Sequence, residues 1–145
     1  DPKDGRDHQV INPSTEEACA TISLGGQADT DAAVAAAKAA LPAWMATPVE
    51  DRIALVGKLL DLYKTRAADM AGAISMEMGA PIDMATGQQT PAGSWHLKNF
   101  IRAAKGFEFD RPLNDRAPND RIIYEAVGVA ALITPWNWPM NQVTL

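Results

Sequence analysis

The feature that most constrains the fold is a short apolar run, Val129-Ala130-Ala131-Leu132-Ile133, opened by Gly128 and closed by Thr134-Pro135-Trp136-Asn137-Trp138-Pro139. The run is too short for a helix and shows no alternation, so it reads as a strand buried on both faces. Such strands belong to parallel sheets covered by helices, and parallel neighbours need crossover connections. One strand of this kind cannot make a sheet alone. The expected class is therefore α/β, with these 145 residues as the front part of a larger protein.

The remaining patterns supply hairpins and helices. Val10-Ile11 and Ala20 to Leu24 read as two extended runs around an Asn12-Pro13-Ser14 turn, closed by Gly25-Gly26. A helix is expected from Thr30 as cap, with Val34, Ala37 and Leu41 on one face and Pro42 ending or kinking it. Thr47-Pro48-Val49-Glu50 has the form of a capping box with proline at the first helical position. It introduces a stripe of Ile53, Val56, Leu59, Leu60 and Tyr63. A third helix, Ala67 to Met78, meets a stop at Gly79 with Pro81 beyond. A loop carrying Pro81, Gly87 and Pro91 should follow, then a helix with Leu97, Phe100, Ile101 and Ala104 on its stripe, ended by Gly106. Phe107 and Phe109 then alternate with Glu108 and Asp110, a polar stretch runs from Arg111 to Asp120, and Arg121 to Ala126 reads as a strand. Together these predict a hairpin with a long connection that pairs elsewhere, because a two-stranded ribbon is marginal alone. A last helix should start at Pro139 or Met140. The division expected is 1–106, strands and helices; 107–127, the hairpin; and 128–145, the buried strand and the start of its helix.

Composition excludes several classes of function. Thirteen basic residues against eighteen acidic ones give a net charge of -5, which argues against a nucleic-acid partner. A single cysteine, Cys19, forms neither a disulfide framework nor a CxxC zinc site. No apolar run reaches the roughly 18 residues of a membrane span, and the first ten residues do not have the form of a signal peptide. A cytoplasmic protein with no membrane partner is the expectation. His8 and His96 stand without other ligands at metal spacing and read as surface or packing residues. Met70, Met76, Met78 and Met84 read as core filling. Asp110, Asp115 and Asp120, mixed with Arg111, Arg116 and Arg121, read as a solvated loop or a subunit contact rather than a calcium loop.

In open α/β sheets, ligands bind beyond the carboxyl ends of the strands, and residues 134–139 occupy such an end. Two prolines fix the backbone on either side, and the tryptophans add bulk. Asn137 between them has two readings. It can cap the following helix, with the tryptophans in the core. Alternatively, its rigidly held amide can donate to an oxyanion, a task that rewards preorganisation more than charge.

The segment Ile133 to Pro139 closely resembles the PWNFP-type motif of the aldehyde dehydrogenase superfamily. Four further blocks resemble that family in the same order. Val10 to Glu16 is similar to its "NPATGE" turn, and Asp29 to Trp44 to its alanine-rich first helix ending in "PAW". Glu77-Met78-Gly79-Ala80-Pro81 is similar to a helix-closing segment, and Glu125 to Val129 to the "EPxGV" lead, with Ala126 in place of the usual proline. The resemblance implies an α/β fold: the N-terminal part of a Rossmann-like cofactor-binding domain, with a preceding helical segment and an oligomerisation hairpin.

It also implies roles. Asn137 would share an oxyanion hole with the backbone N–H of a catalytic cysteine. Thr134, Pro135 and Trp136 would line the cleft for the cofactor, NAD or NADP. Trp138, where the family has phenylalanine, would stand in the aldehyde tunnel with Asn141 and Leu145. Val10, Ile11 and Glu77 match positions that hold a monovalent cation in some members. A thiolate would attack a small-molecule aldehyde, hydride would pass to NAD(P)+, and a glutamate-activated water would release the acid. The family's nucleophile, base glutamate and cofactor glycines fall downstream of residue 145, Cys19 has no counterpart among them, and the 145 residues alone are expected to be inactive. A homodimer or homotetramer is implied. Two alternatives stay open: a CoA-acylating semialdehyde dehydrogenase, and a non-catalytic interaction module pairing through residues 107–126.

Overall fold

A computed structural model describes residues 2–3 and 5–145; Asp1 and Asp4, within the span 1–106, lie outside the described residues. The chain opens with an antiparallel hairpin, β1 (Arg6–Asn12) and β2 (Glu17–Leu24). Its turn follows the chemistry of the sequence. The Asn12 side chain accepts from Ser14 N at 2.9 Å, and Glu16 N donates to Asn12 O at 2.8 Å with Glu16 in the left-handed region.

Helix α1 (Gln27–Ala46) starts earlier than the Thr30 cap predicts. Asp29 accepts from Gly26 N at 2.9 Å, while the Thr30 hydroxyl donates back to Gly26 O. Pro42 does not end the helix. Its ring removes the bond to the Lys38 carbonyl, and on so exposed a helix water can satisfy that group. The expected apolar stripe of α1 buries nothing among the described residues.

Helix α2 (Val49–Thr65) begins where the sequence places it, but the capping box does not form. Thr47 closes α1 instead: its hydroxyl donates to Ala43 O at 2.9 Å, satisfying one of the orphan carbonyls of that helix end. On the α2 stripe Leu60 and Tyr63 are buried and Leu59 faces out. Helix α3 (Ala67–Met78) stops at Gly79, which takes φ +81°.

The loop expected around Pro81, Gly87 and Pro91 is helical from Ile82 onward. A single turn, α4 (Ile82–Met84), runs into a π-helical turn over Ala85–Gln89 and then α5 (Thr90–Lys105). The wider π-turn explains how Pro91 sits in a continuous helical path, because it relieves the clash that a proline ring makes with the preceding turn. The core forms where α2, α3 and α5 meet. Ala71, Ile74, Ala80 and Ala85 make one cluster, and Leu60, Tyr63 and Leu97 the other; Met70 and Met140 pack against both. Met70 and Met78 thus fill core, whereas Met76 is exposed, against the core-filling reading of that residue.

The second hairpin is shorter-looped than the sequence predicts. Strands β3 (Asp110–Asn114) and β4 (Ala117–Ile123) pair antiparallel, so much of the stretch from Arg111 to Asp120 is strand. Asn114 Oδ1 accepts from Arg116 N and Ala117 N at 2.9 and 3.1 Å and so builds a tight turn. Asp110 and Arg121 face each other across the ribbon at 2.6 Å. Phe107 packs edge-to-face on Phe109 and Tyr124, and Arg52 lies 5.5 Å above the Phe109 ring.

The strand expected over residues 129–133 is not formed. Residues 125–137 make no backbone–backbone hydrogen bond among the described residues, and Val127, Leu132 and Ile133 are 98%, 85% and 94% exposed. A parallel strand exists only against a neighbour, and the described residues provide none. Helix α6 (Pro139–Thr144) follows, and no single helix among the described residues is long and apolar enough to cross a membrane.

Candidate active site

Residues 134–138 leave the extended segment and turn into α6, which Pro139 opens with its preset φ and dispensable N–H. The N-cap of α6 is Trp138, with no side-chain cap bond. The capping reading of Asn137 is therefore overturned, and the Asn137 side chain stands exposed at the turn. The tryptophans are not core either: Trp136 is 78% exposed and Trp138 half-buried.

The turn is anchored from behind by α5 and by the π-helical turn that precedes it. His96 Nε2 lies 2.8 Å from Asn141 Oδ1, and Gln89 Nε2 donates a long 3.5 Å hydrogen bond to the Asn137 carbonyl. Trp95 meets the His96 ring edge-on at 5.0 Å between centroids. Tyr63 reaches across from α2 to donate to Thr90 O at 2.7 Å, and burial pushes its phenol pKa up. Gly93 makes this approach fit: a Cβ there would stand 2.5 Å from Tyr63 Oη and 3.2 Å from Met140 Cβ. Met140 then plugs α6 into the core.

Thr134, Pro135 and Trp136 line a groove of about 600 Å³ against α3 and α6, together with Glu77 and Met70. Its walls are mostly apolar apart from the Glu77 carboxylate, and among the described residues it presents no cation for a phosphate. Of the proposed cation ligands, Glu77 joins this groove, whereas Val10 and Ile11 lie on β1, where the Val10 carbonyl accepts from Cys19 Sγ at 3.4 Å. Among the described residues no group of three or more His, Cys, Asp or Glu side chains is arranged for a metal. Asn141 turns its amide oxygen to His96, and Leu145 is 67% exposed. Sequence reasoning missed Gln89 and the task of His96. Their seven-residue spacing on one face, beside apolar Leu97 and Gly93, is the signal that could have found them.

A proline-flanked turn leaves the Asn137 amide exposed near a mostly apolar groove, an arrangement that could receive a small molecule. The model of the aldehyde dehydrogenase family matches residues 1–145, and the chain belongs to that family. It is 37% identical over 143 residues to a 3-succinoylsemialdehyde-pyridine dehydrogenase of Pseudomonas sp., covering 98% of this chain and 29% of that protein. The crystal structure of an aldehyde dehydrogenase from Bartonella henselae superposes with a TM-score of 0.96 at 53% identity, covering 99% of this chain and 30% of that one. A mutant aldehyde dehydrogenase C from Pseudomonas syringae, solved with NAD+ and octanal, superposes with a TM-score of 0.92 at 38% identity, covering 99% and 29%. The chain thus spans about three-tenths of the length of these relatives. Its class is α/β, as the N-terminal portion of that fold.

Proposed function

We propose that the protein is an NAD(P)+-dependent dehydrogenase that oxidises an aldehyde to a carboxylic acid, and that these residues supply its oxyanion-binding amide. The observation that carries this reading is the state of Asn137: exposed on a proline-flanked turn, and not engaged in capping α6. An aldehyde carbonyl becomes an oxyanion when a thiolate adds to it. The Asn137 side-chain N–H groups donate to that oxygen, and a preorganised donor costs no reorganisation as the charge develops. The thiolate is not Cys19, whose Sγ donates to the Val10 carbonyl on the first hairpin. Family relatives solved with NAD+ support the choice of cofactor. The chemistry that NAD(P)+ would supply when bound is that of a hydride acceptor for the substrate carbon. Thr134, Pro135 and Trp136 would border the cofactor, an assignment supported by the mostly apolar groove they line. Trp138, with Asn141 and Leu145 behind it, would border the aldehyde. The Phe107–Ala126 ribbon would pair with another subunit in a homodimer or homotetramer.

The direct test supplies the full-length protein with NAD+ or NADP+ and a panel of aliphatic, aromatic and carboxylated aldehydes, and follows reduced nicotinamide. Aldehyde-dependent reduction without added CoA is the expected result. No reduction with either cofactor across the panel overturns the reading, and reduction only when CoA is present reassigns the protein to acylating chemistry.

A further inference from the structure

We propose that His96, with Gln89 one helical stretch before it, is a positioning residue that sets the orientation of the Asn137 turn. This inference rests on the oxyanion reading of Asn137. Helix α6 is six residues long, begins two residues after Asn137, and is held on its apolar side by Met140. An apolar plug fixes how deep such a helix sits but resists its rotation weakly, because dispersion contacts have little directionality. Hydrogen bonds are directional and can fix that rotation. His96 of α5 supplies one, to Asn141 at 2.8 Å, and Gln89 of the preceding π-helical turn supplies the other, to the Asn137 carbonyl at 3.5 Å. Both donors are withdrawn from water: His96 is 9% exposed and Gln89 1%. Burying an imidazole and an amide costs free energy that an apolar pair would not, so the contact is expensive unless direction is its purpose. Because Asn141 Oδ1 can only accept, His96 Nε2 carries the proton, and the edge of Trp95 braces the ring. The path from His96 through Asn141 and the first turn of α6 to Asn137 is short and covalently continuous on the α6 side.

The test is a double-mutant cycle in the full-length enzyme, reading kcat and the KM for NAD(P)+ separately. His96→Leu keeps bulk and removes the donor; kcat should fall about tenfold, as expected for a small misplacement of a catalytic group, with the cofactor KM unchanged within about twofold. His96→Gln retains a donor and should recover kcat to within about threefold of wild type. Asn137→Ala should lower kcat by about 10² to 10³. Adding His96→Leu to Asn137→Ala should then cost nothing more, because the group being positioned is gone. Losses that multiply in the double variant overturn the positioning role while leaving the oxyanion reading intact. Wild-type kcat in Asn137→Ala overturns both. If His96→Leu does not fold, Asn141→Ala removes the same bond from the other side, and its loss of kcat must likewise vanish in the Asn137→Ala background; persistence of that loss overturns the proposal.

Discussion

At the scale of single residues, the site depends on a few close approaches that no local pattern announces. Gly93 is one: an added methyl would collide with the Tyr63 hydroxyl and dislodge its bond to Thr90 O. Gly93→Ala should cost about 1–3 kcal/mol, read as a lower urea midpoint; an unchanged midpoint contradicts the packing described. Tyr63 also gives a pH signature. Its folded pKa is raised above the ordinary 10.0 by burial, so the folded state holds the phenolic proton more tightly than the unfolded chain does. Its contribution to stability is complete below pH 10.0 and is lost as pH rises through the higher folded value. Tyr63→Phe should flatten the fall in melting temperature above that pH, and an equally steep fall would exclude Tyr63 as its source. Tyr63 was legible as an apolar-stripe residue from its helical spacing. Its hydroxyl partner, 27 residues away on α5, was not, because periodicity reports which face is buried and not what lies opposite.

At the scale of elements, local chemistry was readable wherever backbone geometry leaves one option. Gly79 ends α3 in the left-handed region, and Pro13 from the first hairpin packs over it, 2.7 Å from where a Cβ would stand. Gly79→Ala should therefore cost at least the roughly 1–2 kcal/mol of a strained left-handed residue, measured by denaturant titration; a neutral result would show that the helix stop relaxes freely. The same reading failed where two uses compete for one residue. Thr47 serves the end of α1 rather than the start of α2, and Asn114 turns a polar stretch into a hairpin whose strands contain Pro112 and Pro118. Strands this charged lack the alternation that marks a half-buried sheet, so they resemble loop in sequence. The π-turn before Pro91 was invisible for a related reason, since glycine and proline there point to a loop as readily as to a widened helix.

At the scale of the molecule, the accessible surface is 10639 Å², whereas a closed monomer of this mass exposes about 7,200 Å². The excess comes from α1, whose stripe is open, and from residues 127–133, whose apolar side chains face out. The buried strand read from Val129 to Ile133 needs sheet neighbours that the described residues do not offer, which is why pattern and structure part there. Residues 1–145 produced by themselves should bind a hydrophobic dye such as ANS and melt without a sharp transition; a dye-silent, cooperative melt would contradict this view of the surface. The turn around Pro135 and Pro139 was legible because it is local in sequence, while the His96 side chain that meets Asn141 lies 45 residues away. The central claim is that Asn137 stabilises an oxyanion, and the most direct measurement is the turnover of Asn137→Ala in the full-length enzyme beside its affinity for NAD(P)+. A fall in kcat of about 10² to 10³ with unchanged cofactor binding is the predicted result. A wild-type kcat would contradict the account.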